Sequence, residues 1–263
     1  MVIPVLEAKG VVKSFGSVQA LRGADFAVNE GEIVALVGDN GAGKSTLIKT
    51  LAGVITPDQG EVLFDGTPVH PHTPERLREL GVETVYQDLA LAPTLDPTEN
   101  LFLGREVRRP GLLGALGFID RKTMRATSAD LFRDLGVRIQ DVTSEVSRMS
   151  GGQRQGIAVA RAAAWASRVI FLDEPTAALG VVQTRNVLDL VRRIRDSGIG
   201  VVLISHNMPD VFSVSDRIDV LRLGSRVAQF TTATTRPDQV ISAMTGADVA
   251  GFQDDGPQTK EEG

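Results

Sequence analysis

Apolar positions along the chain follow three different rhythms, and each change of rhythm marks a change of architecture. Ile33–Val37, Val169–Asp173 and Val201–Ser205 are short, nearly unbroken apolar runs, the pattern of strands in a parallel sheet covered on both faces. Between the last two, Val187, Leu190, Val191 and Ile194 fall at i, i+3, i+4 and i+7, which predicts an amphipathic helix in TRNVLDLVRRIRDSG, ended by Gly198. Strand, helix and strand in that order imply a right-handed parallel crossover. The N-terminal stretches LEAKGVVKSFG, ADFAVNEGEIVAL and GEVLFDGTPV are instead short runs split by turn signals at Asn29-Glu30-Gly31 and Asp65-Gly66, and they predict an antiparallel sheet beside the parallel one. From about Leu89 to Arg161 helical periods take over, as in TMRATSADLFRDLGV, which predicts a helical subdomain over about 90–161 inserted into a single α/β domain ending near 249. The polar tail GFQDDGPQTKEEG is expected to be disordered after about Ala250.

The candidate chemistry gathers at the ends of the predicted strands. Gly38-Asp39-Asn40-Gly41-Ala42-Gly43-Lys44-Ser45 matches G-x-x-x-x-G-K-[ST] between a buried strand and a helix that opens near Lys44. Glycines in such a loop turn backbone N–H groups toward the β- and γ-phosphates of a nucleotide. The helix N-terminus adds positive potential, Lys44 a mobile cation, and Ser45 a hydroxyl placed to ligate Mg²⁺. A phosphate-bound metal needs a second anchor on the adjacent strand, and Asp173, at the end of VIFLD, is the candidate. Glu174 follows it, where a carboxylate would polarise a water for attack on the γ-phosphate. His206 ends the third strand at the same carboxyl edge, where open α/β sheets collect ligands, within reach of a γ-phosphate oxygen. Gln87, between apolar Val85–Tyr86 and the helical segment, can join Mg²⁺ or the attacking water to whatever moves that segment. Phe15, ahead of the phosphate loop, reads equally as a core aromatic or as a face on which adenine stacks. His70 and His72, in HPHTP, read as surface residues.

A second anion cradle is less expected. In MSGGQRQ, Ser150 reads as an N-cap, Gly151 and Gly152 leave N–H groups exposed, and QRQGIAVARAAAWA continues as a helix. This cradle has neither a lysine nor a metal ligand. It makes sense as the closing half of a site whose other half is the phosphate loop of a second molecule, which implies a dimer.

Composition narrows the class. In 263 residues, 42% are hydrophobic and 23% charged, the balance of a globular chain with a real core. No run approaches the roughly 18 apolar residues of a membrane span, and MVIPVLEAKG lacks the features of a signal peptide, so a cytoplasmic location is expected. Absence of cysteine excludes disulfides and thiolate chemistry. A net charge of −5 argues against a broad nucleic-acid clamp, and Arg192, Arg193 and Arg195 read as a solvated helix face.

With phosphate loop, Gln87, SGGQ, FLDEP and His206 in this order, the chain resembles the nucleotide-binding subunit of ATP-binding cassette (ABC) transporters over about residues 5–230. The resemblance implies a P-loop NTPase core and ATP hydrolysis with Mg²⁺. It makes Phe15 the adenine-stacking residue, Gly38 to Thr46 the Walker A motif, Gln87 the Q-loop and Ser150, Gly151, Gly152 and Gln153 the signature motif. It likewise makes Asp173 the Walker B aspartate, Glu174 the catalytic glutamate and His206 the switch histidine. VYQDLALAPTLDPTENLFLGRE and DEPTAALGVVQT look like the ATPases of bacterial monosaccharide importers of the ribose, xylose and fructose type. That implies separate membrane permease subunits, an extracytoplasmic sugar-binding protein, no nucleic-acid partner, and a peripheral position on the inner face of the cell membrane. Two departures stand out: Met149 replaces the usual leucine, and Gly180 replaces the usual D-loop aspartate that helps couple the two sites of a dimer. A soluble ABC protein acting on ribosomes or DNA, and a P-loop kinase, are the competing readings; the kinase leaves SGGQ and His206 unexplained.

Overall fold

The computed structural model describes residues 3–139 and 141–247. In chain order the elements are β1 (Leu6–Phe15), β2 (Val18–Val28), β3 (Ile33–Val37), α1 (Lys44–Leu51), β4 (Gln59–Phe64), β5 (Thr67–Pro68), α2 (Pro74–Glu79) and β6 (Val82–Val85). Four helices follow: α3 (Pro97–Leu101), α4 (Leu112–Ala115), α5 (Arg121–Asp134) and α6 (Gly151–Trp165). The chain then returns to β7 (Val169–Asp173), α7 (Val181–Asp196), β8 (Gly200–Ile204), α8 (Met208–Val214), β9 (Arg217–Arg222), β10 (Ser225–Thr231) and α9 (Pro237–Thr245).

Two sheets form, a four-stranded one in the order β2-β1-β4-β5 and a six-stranded one in the order β10-β9-β3-β8-β7-β6. The first is antiparallel throughout. In the second every pair is parallel except β9 with β10. Side chains alternate across a strand, so β3 feeds both faces. Val34 and Leu36 join Phe171, Val202 and Ile204 against Leu47, Ile48 and Leu51 of α1 and the inner residues of β1 and β2. On the other face Ile33 packs with Ile170, Leu172, Val201 and Leu203 against Ala158, Val159 and Ala162 of α6 and Leu190, Val191 and Ile194 of α7. Ala35 and Val37 meet Val211 and Val240 further along. Each fully buried Val, Leu or Ile contributes about 1.5–3 kcal/mol, most of it offset by lost chain entropy. Because β3, β6, β7 and β8 run parallel, the residues after Val37, Val85, Asp173 and Ile204 emerge at one edge.

Three features differ from the sequence reading. The helix read from 184 begins at Val181; Val181 and Val182 are exposed, so its first turn carries no apolar stripe to detect. The stretch between Leu89 and Arg161 is helical only in part: residues 107–120 form a closed loop around the short α4, because Pro110, Gly111, Gly114 and Gly117 interrupt any longer helix. His72 is half-buried rather than superficial, and both its ring nitrogens are shielded from solvent. The tail expected to be disordered after Ala250 lies outside the described residues. Among the described residues no helix is long and apolar enough to cross a membrane.

Candidate nucleotide site

The parallel strands end around one cleft of about 630 Å³. Asn40 to Thr46 form its floor, and Gln87, Asp173, Glu174 and His206 come to it from the ends of β6, β7 and β8. The loop after β3 needs its glycines. Gly38 lies at φ 153° and Gly43 at φ 103°, and a Cβ on Gly43 would stand 2.7 Å from the Ala20 carbonyl oxygen. Gly43 is also the N-cap of α1 and supplies no side-chain acceptor, so the first N–H groups of that helix remain available to an anion. The Lys44 ammonium donates to the carbonyl oxygens of Gly38 (2.5 Å) and Asp39 (3.0 Å). Burial holds its pKa below the ordinary lysine value, against the opposing pull of Glu174, Asp39 and Asp173. Asp39 contributes this carbonyl while its side chain stays exposed.

The two carboxylates at the end of β7 have different surroundings. Burial pushes the Asp173 carboxyl up, and the adjacent Glu174 charge adds to the shift. Glu174 sits at φ 50°, a left-handed conformation that costs a non-glycine residue about 1–2 kcal/mol. The conformation is held by its N–H donating to the Ile204 carbonyl (2.9 Å) and its own carbonyl accepting from Ala177 (3.1 Å). It aims a side chain that is only 16% exposed at His206, whose Nδ1 lies 2.7 Å from Glu174 Oε1. A buried carboxylate in contact with an exposed imidazole is an arrangement able to take up and pass on a proton.

The donor set suits Mg²⁺. Ser45, Asp173 and Gln87 offer hard oxygen ligands on the same cleft. Among the described residues no cluster of three His, Cys, Asp or Glu side chains forms a protein-only cage. Mg²⁺ is ordinarily held by one or two carboxylates together with substrate phosphates and water, and a cation there would offset the crowding that raises Asp173.

The structure separates two of the expected parts from this cleft. Ser150, Gly152 and Gln153 line a different cavity, of about 580 Å³, walled by Arg138 and by Gln183, Asn186 and Arg193 of α7. The helix start is built as read: Ser150 Oγ accepts from the Gln153 N–H (3.3 Å), and Gln153 Oε1 accepts from the Ser150 N–H (3.0 Å), a reciprocal capping box. Gly151 is exposed, and a Cβ on Gly152 would stand 2.6 Å from Gln183 Cγ. Phe15 ends β1 half-exposed, with the Lys13 ammonium 5.8 Å from its ring centre. Its cross-strand partner Val18 lines the cleft; Phe15 does not.

Other residues of the site carry no motif. Val18, Ala20 and Arg22 of β2, with Leu223 and Gly224 of the β9–β10 turn, close one wall. Arg161, on α6, donates to the carbonyls of Ala90 (2.6 Å) and Leu89 (2.9 Å). Both acceptors have positive φ and stand two and three residues after Gln87. A single charge inside the apolar run GIAVARAAAW was the signal that could have found it. The Gly180 N-cap of α7 is at an ordinary φ of −74° with no side-chain cap.

Proteins of similar sequence and fold identify the family. The ABC transporter family profile matches residues 21–177. The chain is 48% identical over 246 residues to the fructose import ATP-binding protein of Rhizobium meliloti, covering 93% of this chain and 95% of that protein. It is 45% identical to the xylose/arabinose import ATP-binding protein of Sulfolobus acidocaldarius, covering 92% and 94%. It is 40% identical to a ribose import ATP-binding protein of Rubrobacter xylanophilus, where it spans 94% of this chain but 48% of the relative. A nucleotide-free ATP-binding cassette from an ABC transporter superposes with TM-score 0.77 at 23% identity, over 94% of this chain and 98% of that one. A dimeric cassette in a post-hydrolysis state, bound to ADP and Pi, superposes with TM-score 0.72 at 24% identity, over 86% and 98%. The chain therefore belongs to the ABC transporter family, as one of its ATP-hydrolysing nucleotide-binding cassettes.

Proposed function

We propose that two copies of this cassette close around two ATP molecules and that hydrolysis reopens them, driving import of a monosaccharide through separate membrane permease subunits. The observation that carries this reading is the division of the phosphate ligands: one cleft holds the loop, Lys44, Asp173, Glu174 and His206, while the Ser150 cradle opens elsewhere on the same chain. In each site the phosphate loop of one copy binds ATP, Ser150 to Gln153 of the other copy cover the γ-phosphate, and adenine lies against the β2 wall beside Val18 and Phe15. Ser45, Asp173 and Gln87 would hold Mg²⁺, and the cation would supply neutralisation of charge on the transferred phosphoryl group. Glu174 orients the attacking water and accepts its proton, and His206 positions Glu174.

The relatives' roles in fructose, xylose/arabinose and ribose import support the substrate class. An extracytoplasmic sugar-binding protein would then select the sugar, and the cassette would sit peripherally on the inner face of the membrane, its Gln87-to-Arg105 segment docking the permease. A soluble role on ribosomes or DNA is not favoured, and the Arg192, Arg193 and Arg195 side chains are each held within the chain, by Asp189, Asp134 and Asp216 among others. ATPase activity of the cassette reconstituted with its permease should rise when sugar-loaded binding protein is added; an unchanged rate with every pentose and hexose tried would sink the sugar reading.

Further outcomes are expected for the metal site and for Arg161. Chelation of Mg²⁺ should abolish hydrolysis, and Asp173→Asn should do the same while raising Tm of the metal-free protein, because it removes a buried carboxylate crowded by Glu174. Arg161→Ala leaves two carbonyls without their charged donor and should cost about 2 kcal/mol of stability. We expect it to lower kcat about tenfold by loosening Gln87, with KM for ATP little changed. Arg161→Lys, which keeps a single donor group, should recover part of kcat; equal losses in kcat and ATP affinity would count against a positioning role.

A further inference from the structure

Residues 107–120 form a closed knob that the nucleotide chemistry does not use. Arg109 N–H donates to the Phe118 carbonyl (2.9 Å) and Asp120 N–H to the Val107 carbonyl (2.7 Å), with a bridge between Arg108 and Ile119. Within the tip, Phe118 N–H donates to Leu113 (3.0 Å) and Leu116 N–H to Leu112 (3.1 Å). A Cβ on Gly114 would collide with the Arg109 carbonyl, so the tip is packed onto its own base. The base is anchored, since Val107 packs on the buried cluster of Leu101, Phe102 and Met124. The tip is bare: Leu112 is 78% and Leu116 66% exposed, with Leu113 and Phe118 also in solvent. An ordered loop that seats its base in the core and presents leucines to water is not using those leucines to fold.

The charge around the tip is opposite to that of the whole chain. Between 105 and 125 stand Arg105, Arg108, Arg109, Arg121, Lys122 and Arg125 against only Glu106 and Asp120, in a chain of net charge −5. Arg105 is paired with Glu83 and Arg121 with Glu99. Arg108, Arg109, Lys122 and Arg125 make no salt bridge among the described residues. We propose that this knob is a lipid-surface anchor: its leucines and Phe118 enter the interface of an anionic leaflet while Arg108, Arg109 and Lys122 meet the headgroup phosphates. Apolar residues that insert, ringed by cations that remain at headgroup level, form the arrangement that binds anionic lipid surfaces in other peripheral proteins. The inference rests on the importer reading only for the presence of a membrane; the knob begins just beyond Arg105, where the proposed permease-docking segment ends.

The test is co-sedimentation of the purified full chain with vesicles of phosphatidylcholine alone or of phosphatidylcholine with phosphatidylglycerol. Binding is expected only to the second and should weaken steeply with salt. Leu112→Glu/Leu116→Glu and, separately, Arg108→Glu/Arg109→Glu should each lower the bound fraction about tenfold or more. ATP hydrolysis should not change in either variant, which shows the fold intact and keeps this result independent of the nucleotide site. The inference is overturned if the wild type binds neither vesicle, or if the variants bind as the wild type does. It is equally overturned if the variants keep vesicle binding but no longer co-purify with co-expressed permease subunits, since the knob would then be a protein-docking surface.

Discussion

Glu174→Gln is expected to slow steady-state ATP hydrolysis by about a hundred- to ten-thousandfold, the usual range for removal of a general base, while ATP still binds. Glutamine keeps the shape of the side chain and can still hydrogen-bond to His206, whose Nδ1 stands 2.7 Å from the carboxylate. It cannot accept a proton. It also removes the neighbouring charge that helps raise Asp173, so Mg²⁺·ATP should bind at least as well. The variant should accumulate as an ATP-bound dimer by gel filtration, because closure needs the nucleotide and not its cleavage. His206→Ala should give a smaller loss, since it frees Glu174 from its partner without removing the base. Hydrolysis at the wild-type rate by Glu174→Gln would remove Glu174 from the proposed mechanism.

Ser150→Arg should be as damaging for a different reason, and it separates a composite site from a self-contained one. The substitution removes the cap of α6, which costs about 1 kcal/mol, and places a long cation at the mouth of the Ser150 cradle. If each site uses the phosphate loop of one copy and the cradle of the other, the isolated variant should bind ATP normally and hydrolyse it at least about a hundredfold more slowly. Ser150→Ala controls for the lost cap and should keep most of the activity. Mixing supplies the decisive measurement. Lys44→Ala and Ser150→Arg are each inactive alone, but a dimer containing one of each has one intact phosphate loop facing one intact cradle. Equimolar mixing should therefore restore a substantial part of the wild-type rate; a mixture no more active than its components would refute the shared site.

The parts of the site legible in the sequence are those whose chemistry is local. A phosphate loop is a glycine pattern between a buried strand and a helix, and all its residues lie within a few positions of Lys44. Asp173 and Glu174 declared themselves as a charge at the end of an apolar strand, and His206 did so in the same way. Once the apolar runs are read as parallel strands, their carboxyl ends must share an edge, and this brings together residues far apart in sequence. The N-cap at Ser150 is likewise legible from the few residues that open its helix, whereas the reciprocal bond from Gln153 that completes the capping box is seen only in the folded chain.

What required the folded chain depends on registers and faces that no short window encodes. The cleft wall pairs β2 with the turn after β9, a contact set by how the antiparallel sheet lies on the parallel one. That same packing puts Val18 in the cleft and leaves Phe15 outside its wall. Arg161 reaches the Gln87 loop only because the pitch of α6 turns it toward Leu89 and Ala90. The knob at 107–120 lies within the stretch expected to be helical, and only the exposure of its tip in the folded chain sets its leucines apart from core residues. The sequence by itself therefore determined the nucleotide chemistry and the parallel strands whose ends gather it, since both follow from near-neighbour patterns, whereas the order of those strands in the sheet came only with the folded chain. The tertiary structure alone decided what walls the cleft, what grips the segment after Gln87 and which apolar groups are left facing water, because those depend on where distant segments come to rest.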